Sequence, residues 1–342
     1  MAKHNYDICI IGAGAGGLSV AAGACQFGIK VALIEGHNMG GDCLNYGCVP
    51  SKALLSSAKH YHAIKESAKF GFSAQAQPVI IKQVMAKVQE VIAQIAPHDS
   101  VERFTQLGAT VYRGYGSFVD EQSVKIDDDI ISAKYFIIAT GSSPVVPPIA
   151  GLDQVNYLTN ETIFNLEETP EHLLVIGGGP IGCELAQAFL MLGIKVSLLN
   201  LGKILPRDEA DLVAELRQNM LNQGLNLYED IKIIKISSGA AGQIEISVEI
   251  GGKEQIISGS HLLVATGRKV NIDKLNLSAA GIEHTPRGIQ VDERLRTSNK
   301  KVFAIGDVAG GYQFTHIAGY HAGIVIRNII FRQRAKVNYQ AV

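Results

Sequence analysis

The sequence contains one segment pattern twice, and this repeat constrains the fold more than any other feature. Each copy runs from an apolar strand through G-x-G-x-x-G into a helical segment and a second apolar strand. Glu35 ends the first copy 23 positions after its first glycine, and Asn200 ends the second copy 23 positions after its own. Strands that alternate with helices predict an α/β fold. The glycines of the two copies are Gly12, Gly14 and Gly17, and Gly177, Gly179 and Gly182.

A glycine pattern between a strand and a helix is the context in which proteins bind dinucleotides. The first glycine makes the tight turn, the second lets the backbone approach a pyrophosphate, and the third lets the helix pack on the strand. The pyrophosphate then lies at the positive end of the helix, and Glu35 is placed to accept hydrogen bonds from ribose hydroxyls. A single copy could be a plain strand-to-helix turn, but two copies with equal spacing predict two dinucleotide sites.

The second copy leaves the choice between NAD and NADP open. Asn200 stands where the first copy has an acid, and Lys203 follows it. A carboxylate there would repel a 2′-phosphate, whereas an amide beside a lysine would not. The alternative is that Lys203 is an ordinary solvated surface lysine, and we favour this interpretation. Each copy is later followed by a strand that ends in Ala-Thr-Gly, at 139–141 and 265–267.

Two cysteines, Cys43 and Cys48, lie in a glycine-rich segment with C-x4-C spacing. Positions five apart in a regular α-helix are about 8–9 Å apart, whereas a disulfide needs roughly 4.4–6.8 Å between Cα atoms. A disulfide would therefore require a bend, which Gly47 permits. Pro50 suits the first turn of a following helix, and a helix N-terminus with Lys52 nearby favours a thiolate. The C-x4-C spacing alone would also suit two buried cysteines in a loop that form no disulfide.

Composition and charge further limit the class of protein that this sequence can encode. The 342 residues, 47% hydrophobic and 18% charged, predict two or three globular domains. A net charge of −1 indicates neither a nucleic-acid nor a membrane-surface partner. We find no signal peptide or transmembrane stretch, which predicts a cytoplasmic protein. Five cysteines without a secretory signal do not suggest a structural disulfide framework; we predict that three pack in the core, namely Cys9, Cys25 and Cys183.

The segment GGDCLNYGCVPSK at 40–52 resembles the redox-active motif of class I pyridine nucleotide-disulfide oxidoreductases. That family includes dihydrolipoamide dehydrogenase, glutathione reductase and mercuric reductase. The resemblance extends over the chain, because VFAIGD at 302–307 is similar to the family's second FAD motif. It implies two Rossmann-like, three-layer domains: an FAD domain at 1–150 and 286–342, and an NAD(P) domain at 151–285 inserted into it.

The resemblance also implies roles for matching residues. NAD(P)H, FAD and a Cys43–Cys48 disulfide would exchange electrons, with Cys43 meeting the substrate and Cys48 lying against the flavin. Lys52 would lie near the flavin, paired with Glu184, for which a helix-surface carboxylate is the alternative. No metal site is predicted. Further implied cofactor contacts are Gly41, Gly116, Thr140, Gly141, Gly267, Gly306, Asp307, Thr315 and His316.

Family members carry a further C-terminal domain that builds a homodimer and supplies a histidine–glutamate pair. This sequence has no such His-x4-Glu motif before Val342. We therefore expect a fragment of a longer, homodimeric protein, with a natural truncation as the alternative. We expect His316 and His321 to pack near the flavin or on a helix face.

The substrate is expected to be a small-molecule or protein-bound disulfide or dithiol. Three functions are considered. The first is that of a dihydrolipoamide dehydrogenase, because Lys52 is preceded by Ser51 and followed by Ala-Leu-Leu, as in those enzymes. The second is that of a mercuric reductase, which residues 184–189 resemble, and the third is a flavin-binding fragment without turnover.

Overall fold

A computed structural model describes residues 3–340. Its α-helices are α1 (Ala15–Gln26), α2 (Gly41–Asn45), α3 (Cys48–Glu66), α4 (Ile81–Ile95), α5 (Val101–Gln106), α6 (Pro180–Met191), α7 (Ala210–Asn222) and α8 (Thr315–Ile329). Its strands are β1 (Lys3–Ile11), β2 (Val31–Glu35), β3 (Ala109–Arg113), β4 (Ser117–Asp120), β5 (Ser123–Ile126), β6 (Asp129–Ile138), β7 (Ser142–Pro144), β8 (His172–Ile176), β9 (Lys195–Leu199), β10 (Asn226–Tyr228), β11 (Lys232–Ser238), β12 (Ile244–Ile250), β13 (Lys253–Gly259), β14 (His261–Val264), β15 (Arg268–Val270), β16 (His284–Thr285), β17 (Gly288–Ile289) and β18 (Val302–Ala304).

The chain divides into two compact units, each assembled from separate segments. Unit 1 comprises Met1–Asn45, Ala93–Ser143 and Lys269–Val342, and unit 2 comprises Tyr46–Ile92 and Pro144–Arg268. Residues 46–92 group with unit 2, whereas the boundaries predicted from the motifs included them in the FAD domain at 1–150. The cofactor that each unit holds stays a prediction.

Unit 1 is built on a sheet whose strands run in the order β3-β2-β1-β6, all parallel. Strand β18 pairs in parallel with the end of β6, while β5 and β4 continue antiparallel from its beginning. Alternate residues of β1 enter opposite faces: Ile8 and Ile10 pack in one core and Cys9 and Ile11 in the other. Burial on both faces explains the unbroken apolar runs of these strands.

Unit 2 is built on a parallel sheet in the order β10-β9-β8-β14, with a separate antiparallel sheet β11-β12-β13. Leu173 and Val175 face a core that includes residues of α3, α4 and α6. Leu174 and Ile176 face the opposite core, which the antiparallel sheet completes. The predicted α/β fold with two Rossmann-like units is confirmed.

Helices α4 and α5 are separate, because Pro97 falls in the intervening 3-10 turn and Ser100 caps α5 by accepting from Arg103 N at 3.2 Å. Cys9 and Cys183 are buried and Cys25 is half-buried. Within residues 3–340, no helix combines the length and apolar character that a membrane span requires.

Candidate active site

The first glycine loop of unit 1 is closed by contacts that leave no room for a side chain. Gly12 has φ +106°, and a Cβ built on it would lie 2.4 Å from the carbonyl oxygen of Ala139. A Cβ on Gly17 would lie 1.9 Å from the carbonyl oxygen of Gly12. Gly14 caps α1 without a side-chain hydrogen bond, and the first turn of the helix has no acid. The N-terminus of α1 is therefore suited to a phosphate.

Glu35 fixes this loop from the end of β2. Its side chain is buried, at 8% exposure, and both carboxylate oxygens accept main-chain hydrogen bonds. Oε2 accepts from Ala13 N and Oε1 from His37 N, each at 2.6 Å. The carboxylate thus lies beside the glycine loop, as a ribose-binding acid must. Its predicted bond to a ribose stays a prediction.

The second loop, in unit 2, repeats this geometry closely. Gly177 has φ +114°, with its Cβ position 2.3 Å from Ala265 O, and the Cβ position of Gly182 is 1.9 Å from Gly177 O. Asn200 Oδ1 accepts from Gly178 N at 2.8 Å, just as Glu35 accepts from the residue after Gly12. A Cβ on Gly179 would have open space around it. The repeat seen in the sequence is therefore a repeat of hydrogen bonds and close contacts.

The surroundings of Asn200 bear on the nicotinamide cofactor. Its Nδ2 donates to the carbonyl oxygens of Gly202 and Lys203, at 3.0 and 2.9 Å. Lys203 is exposed, as predicted, but its ammonium lies 2.6 Å from Asp230, which raises the pKa of the lysine. Glu229, whose side chain is 6% exposed, accepts from Arg217 Nε at 3.0 Å and from Ile204 N at 2.9 Å. Carboxylates thus accompany both Lys203 and Arg217 at this edge of the sheet.

The predicted second FAD motif, residues 302–307, lies in unit 1; it begins with β18 and precedes α8. Asp307 Oδ2 accepts from Ser142 Oγ at 2.5 Å. Gly306 N donates to Nδ1 of His321, which is buried on α8. Thr315 and His316 begin α8, and the His316 ring stacks on Phe314 with centroids 5.3 Å apart.

Other predicted contact residues lie at turns. Thr140 Oγ1 donates to Asn271 O at 2.7 Å, while Asn271 N donates to Gly141 O at 3.0 Å. Gly116 is buried, with its Cβ position 3.2 Å from Ile34 Cδ1 of β2. In unit 2, Gly267 O accepts from Val145 N at 3.0 Å. Their contacts with cofactors stay predictions.

The segment that carries Cys43 begins directly against the first glycine loop. Gly41 has φ +60°, and its Cβ position lies 2.6 Å from Gly14 Cα. Cys43 follows on the short helix α2 and is half-buried. Asn45, which sequence reasoning missed, closes the turn by donating from Nδ2 to the carbonyl oxygens of Met39 and Gly41, at 3.0 and 2.8 Å.

Cys48 begins a different helix from Cys43. Helix α2 ends at Asn45 and α3 starts at Cys48, with Gly47 at φ −121°, ψ −117° between them. The predicted break between the cysteines is therefore confirmed. Cys48 is exposed at the N-terminus of α3, where the helix dipole favours a thiolate.

In unit 2, buried Asn160 donates from Nδ2 to Tyr46 O at 3.2 Å; no sequence pattern pointed to this asparagine.

Lys52 and Glu184 form the ion pair expected from the resemblance. Lys52 Nζ lies 2.6 Å from Glu184 Oε1 and also donates to Ser51 Oγ at 3.3 Å. Lys52 lies one turn into α3, and Glu184 lies in the first half of α6. The carboxylate is the less exposed partner, at 29% against 63% for the lysine side chain. The pair is present, and its role beside a flavin stays a prediction.

The family model described as pyridine nucleotide-disulphide oxidoreductase matches residues 6–322. The chain belongs to this family. Its members use FAD and NAD(P)H, and the family indicates an oxidoreductase that acts on sulfur groups. The resemblance predicted from the motifs is thus confirmed.

Curated relatives fall into two groups. Mercuric reductases of Lysinibacillus sphaericus and Bacillus cereus are 35% and 36% identical over 343 residues, covering 99% of this chain. The alignments cover 62% and 54% of those proteins, so the chain spans less than two thirds of their length. The dihydrolipoyl dehydrogenase of Acholeplasma laidlawii is 31% identical over 343 residues, covering 98% of this chain and 100% of that protein.

A solved structure supports the same family. The HOCl-induced flavoprotein disulfide reductase RclA from Escherichia coli superposes with a TM-score of 0.86 at 28% identity, covering 97% of this chain and 72% of that one.

Proposed function

We propose that this chain transfers electrons between NAD(P)H and a disulfide or dithiol through FAD and the Cys43–Cys48 pair, with a dihydrolipoamide-type dithiol as substrate. The observation that carries the proposal is the 2.6 Å approach of the Gly41 Cβ position to Gly14 Cα. It sets the start of the cysteine segment against a loop fit for a dinucleotide pyrophosphate. A redox pair beside a flavin site needs this arrangement.

The residues of both loops fit dinucleotides. In unit 1, the N-terminus of α1 and the space over Gly14 would receive the pyrophosphate of FAD, and Glu35 its ribose. In unit 2, the N-terminus of α6 and the open space at Gly179 would receive NAD(P)H. Bound FAD would supply the two-electron redox chemistry that no side chain provides.

The cysteines would perform the exchange with substrate. A thiolate of the dithiol attacks Sγ of Cys43, a mixed disulfide forms, and Cys48 leaves as a thiolate. The second substrate thiol, once deprotonated, attacks the first substrate sulfur, which is bonded to Cys43, and Cys43 leaves as a thiolate. The substrate leaves as a disulfide, and its two electrons remain on the cysteine pair for onward transfer. The N-terminus of α3 stabilises the Cys48 thiolate.

Mercuric ion is the second candidate substrate. The two mercuric reductases compared above are 35% and 36% identical to the chain, against 31% for the dihydrolipoyl dehydrogenase. Soft thiolates bind mercuric ion as they bind other soft metals. Reduction of the bound ion would draw two electrons from NAD(P)H, the reverse direction to dithiol oxidation.

The visible absorption spectrum under anaerobic addition of one equivalent of NADH tests the proposal. We expect a flavin spectrum that gains a long-wavelength band when two electrons enter, because the Cys48 thiolate would lie against the flavin. Cys48→Ser should abolish the band, whereas Cys43→Ser should show it before any NADH is added, because Cys48 then has no disulfide partner and is already a thiol or thiolate. Half-buried Cys25→Ser is the matched control and should behave as the wild type.

A flavin that only bleaches would contradict the role of the cysteine pair. Substrate assays then separate the candidates: reduction of NAD by dihydrolipoamide supports the first, and NAD(P)H oxidation driven by mercuric ion supports the second. The predicted homodimer of the full-length protein and the predicted cytoplasmic location stay predictions.

A further inference from the structure

A buried histidine on α8 holds the glycine that precedes Asp307. His321 is 2% exposed, whereas Tyr320 before it on the same helix is partly exposed. Its Nδ1 accepts from Gly306 N at 3.1 Å, and its Nε2 lies 2.7 Å from Tyr339 Oη. Both ring nitrogens therefore have partners.

These partners determine the form of the ring. Gly306 N can only donate, so Nδ1 carries no proton and the neutral ring carries its proton on Nε2. Nε2 then donates to Tyr339 Oη. A protonated Nδ1 would face the Gly306 N–H with a second donor. Burial agrees with the neutral form, because it lowers the pKa of His321 to about 4.

The peptide that His321 holds is constrained from several sides. Gly306 has φ +67°, and its Cβ position lies 3.1 Å from Ala318 Cβ, one helical turn before His321 on α8. The next residue, Asp307, accepts from Ser142 Oγ at 2.5 Å. Rotation of the 305–306 peptide would move Asp307 away from this arrangement, so the hydrogen bond to Nδ1 selects the position of the Asp307 carboxylate.

Tyr339 is itself fastened to α8. Asn338 N donates to Tyr320 Oη at 2.8 Å, and the side chain of Asn328 exchanges two hydrogen bonds with the main chain of Ala335, at 2.9 and 2.8 Å. The segment after α8 thus returns along the helix and brings Tyr339 to His321. The orientation of the imidazole is set from its far side by this segment.

We propose that His321 is a positioning residue of the flavin site, whose Nδ1 fixes the Gly306 peptide and thereby the Asp307 carboxylate that binds FAD. The inference rests on the proposed function, since it requires FAD at this motif. Both ring nitrogens of His321 are engaged by Gly306 and Tyr339, so the residue would act on FAD binding through Gly306.

Variants that retain or remove the acceptor at Nδ1 test the proposal. His321→Asn keeps an amide oxygen near the Nδ1 position, whereas His321→Leu removes the acceptor at similar bulk. We expect His321→Leu to raise the FAD dissociation constant about tenfold or more, and His321→Asn to stay within about threefold of the wild type, because a buried N–H without its acceptor shifts to find another. Exposed His60→Asn on α3 is the control. FAD binding is followed by flavin fluorescence on the full chain, and thermal unfolding of the FAD-free protein is measured in parallel.

The outcomes separate positioning from general stability. A leucine variant that melts earlier but binds FAD with unchanged affinity overturns the proposal, as does an asparagine variant that binds as weakly as leucine. Tyr339→Phe removes only the distal bond, so an effect on affinity smaller than that of His321→Leu supports it and a larger effect contradicts it. A wild-type chain that binds no FAD would overturn the proposed function together with this inference, whereas FAD binding that is equal in all variants overturns the inference alone.

Discussion

At the scale of single residues, each dinucleotide loop depends on positions where no β-carbon fits. In both loops the third glycine approaches the carbonyl of the first, and the first approaches the carbonyl of the alanine in the Ala-Thr-Gly segment that follows β6 or β14. These contacts bring the helix N-terminus to the edge of the sheet. Gly41 adds a third close approach, which joins the cysteine segment to the first loop in unit 1.

Gly41→Ala should therefore weaken FAD binding, while Gly28→Ala should not. Both glycines have positive φ, +60° and +68°, so alanine meets a similar backbone strain of roughly 1–2 kcal/mol at either position. Only Gly41 has a neighbour, Gly14 Cα at 2.6 Å; nothing lies within 4 Å of the Cβ position of Gly28. Chemical unfolding and FAD titration of both variants check this. Equal FAD affinity in the two would show that the approach to Gly14 is unimportant.

The choice between NADH and NADPH is also a single-residue matter. Lys203 lies 2.6 Å from Asp230 and 3.8 Å from Glu229, so two carboxylates compete with a 2′-phosphate for its charge. We expect the wild type to prefer NADH, and Asp230→Asn to raise the relative rate of flavin reduction by NADPH about fivefold, since one of the two carboxylates that compete for the lysine is then neutral. Asp273→Asn, which releases Lys269 from a similar pair at 2.6 Å, is the control. Stopped-flow reduction with each nucleotide measures the ratio. An unchanged ratio would exclude Lys203 from cofactor selection.

At the scale of elements, two strands of unit 2 begin with histidines that are held neutral. His172 starts β8 and contacts buried Ser197 Oγ at 2.8 Å, and His261 starts β14 and contacts Ser260 Oγ at 3.0 Å. Burial lowers the pKa of both rings, with Lys195 adding to the effect at His172. The start of the parallel sheet is therefore sensitive to acid.

The free energy of unfolding of unit 2 should fall as the pH drops below about 6.5, the ordinary pKa of histidine. In that range the unfolded chain binds up to about two more protons at these residues than the folded chain, so stability rises with pH there and levels off above it. Urea unfolding between pH 5 and 8 measures the slope. The double variant His172→Asn/His261→Asn should reduce the slope, leaving the part that His321 contributes through its lowered pKa. His60→Asn should leave the slope as in the wild type, and a slope unaffected by the double variant would refute the assignment.

At the scale of the whole molecule, the two units should respond to different ligands. FAD at 100 times its dissociation constant stabilises the state that binds it by about 2.7 kcal/mol. We expect this protection in β1 and β2 of unit 1 with FAD, and in β8 and β9 of unit 2 with NADH. Hydrogen exchange followed by mass spectrometry on peptides of these strands reports each unit separately. Protection of β8 and β9 by FAD alone, without β1 and β2, would reverse the predicted assignment of cofactors.

Sequence alone was sufficient for features that depend on local, periodic patterns. The two glycine loops, the strands and helices around them and the break between Cys43 and Cys48 follow from residue spacing and from the steric properties of glycine and proline. The family resemblance also indicated the Lys52–Glu184 pair, although its residues are 132 positions apart.

Only the tertiary structure could show the contacts that join distant segments without a repeating pattern. The hydrogen bond of Asn160 to Tyr46 O, the bond of Ser142 to Asp307 and the link from Tyr339 through His321 to Gly306 each depend on how separate segments fold back on one another. The grouping of residues 46–92 with unit 2 has the same origin, because the apolar faces of α3 and α4 are buried against α6 and its neighbours. An apolar face encodes that it will be buried, but its partner is decided by the packing of the complete chain.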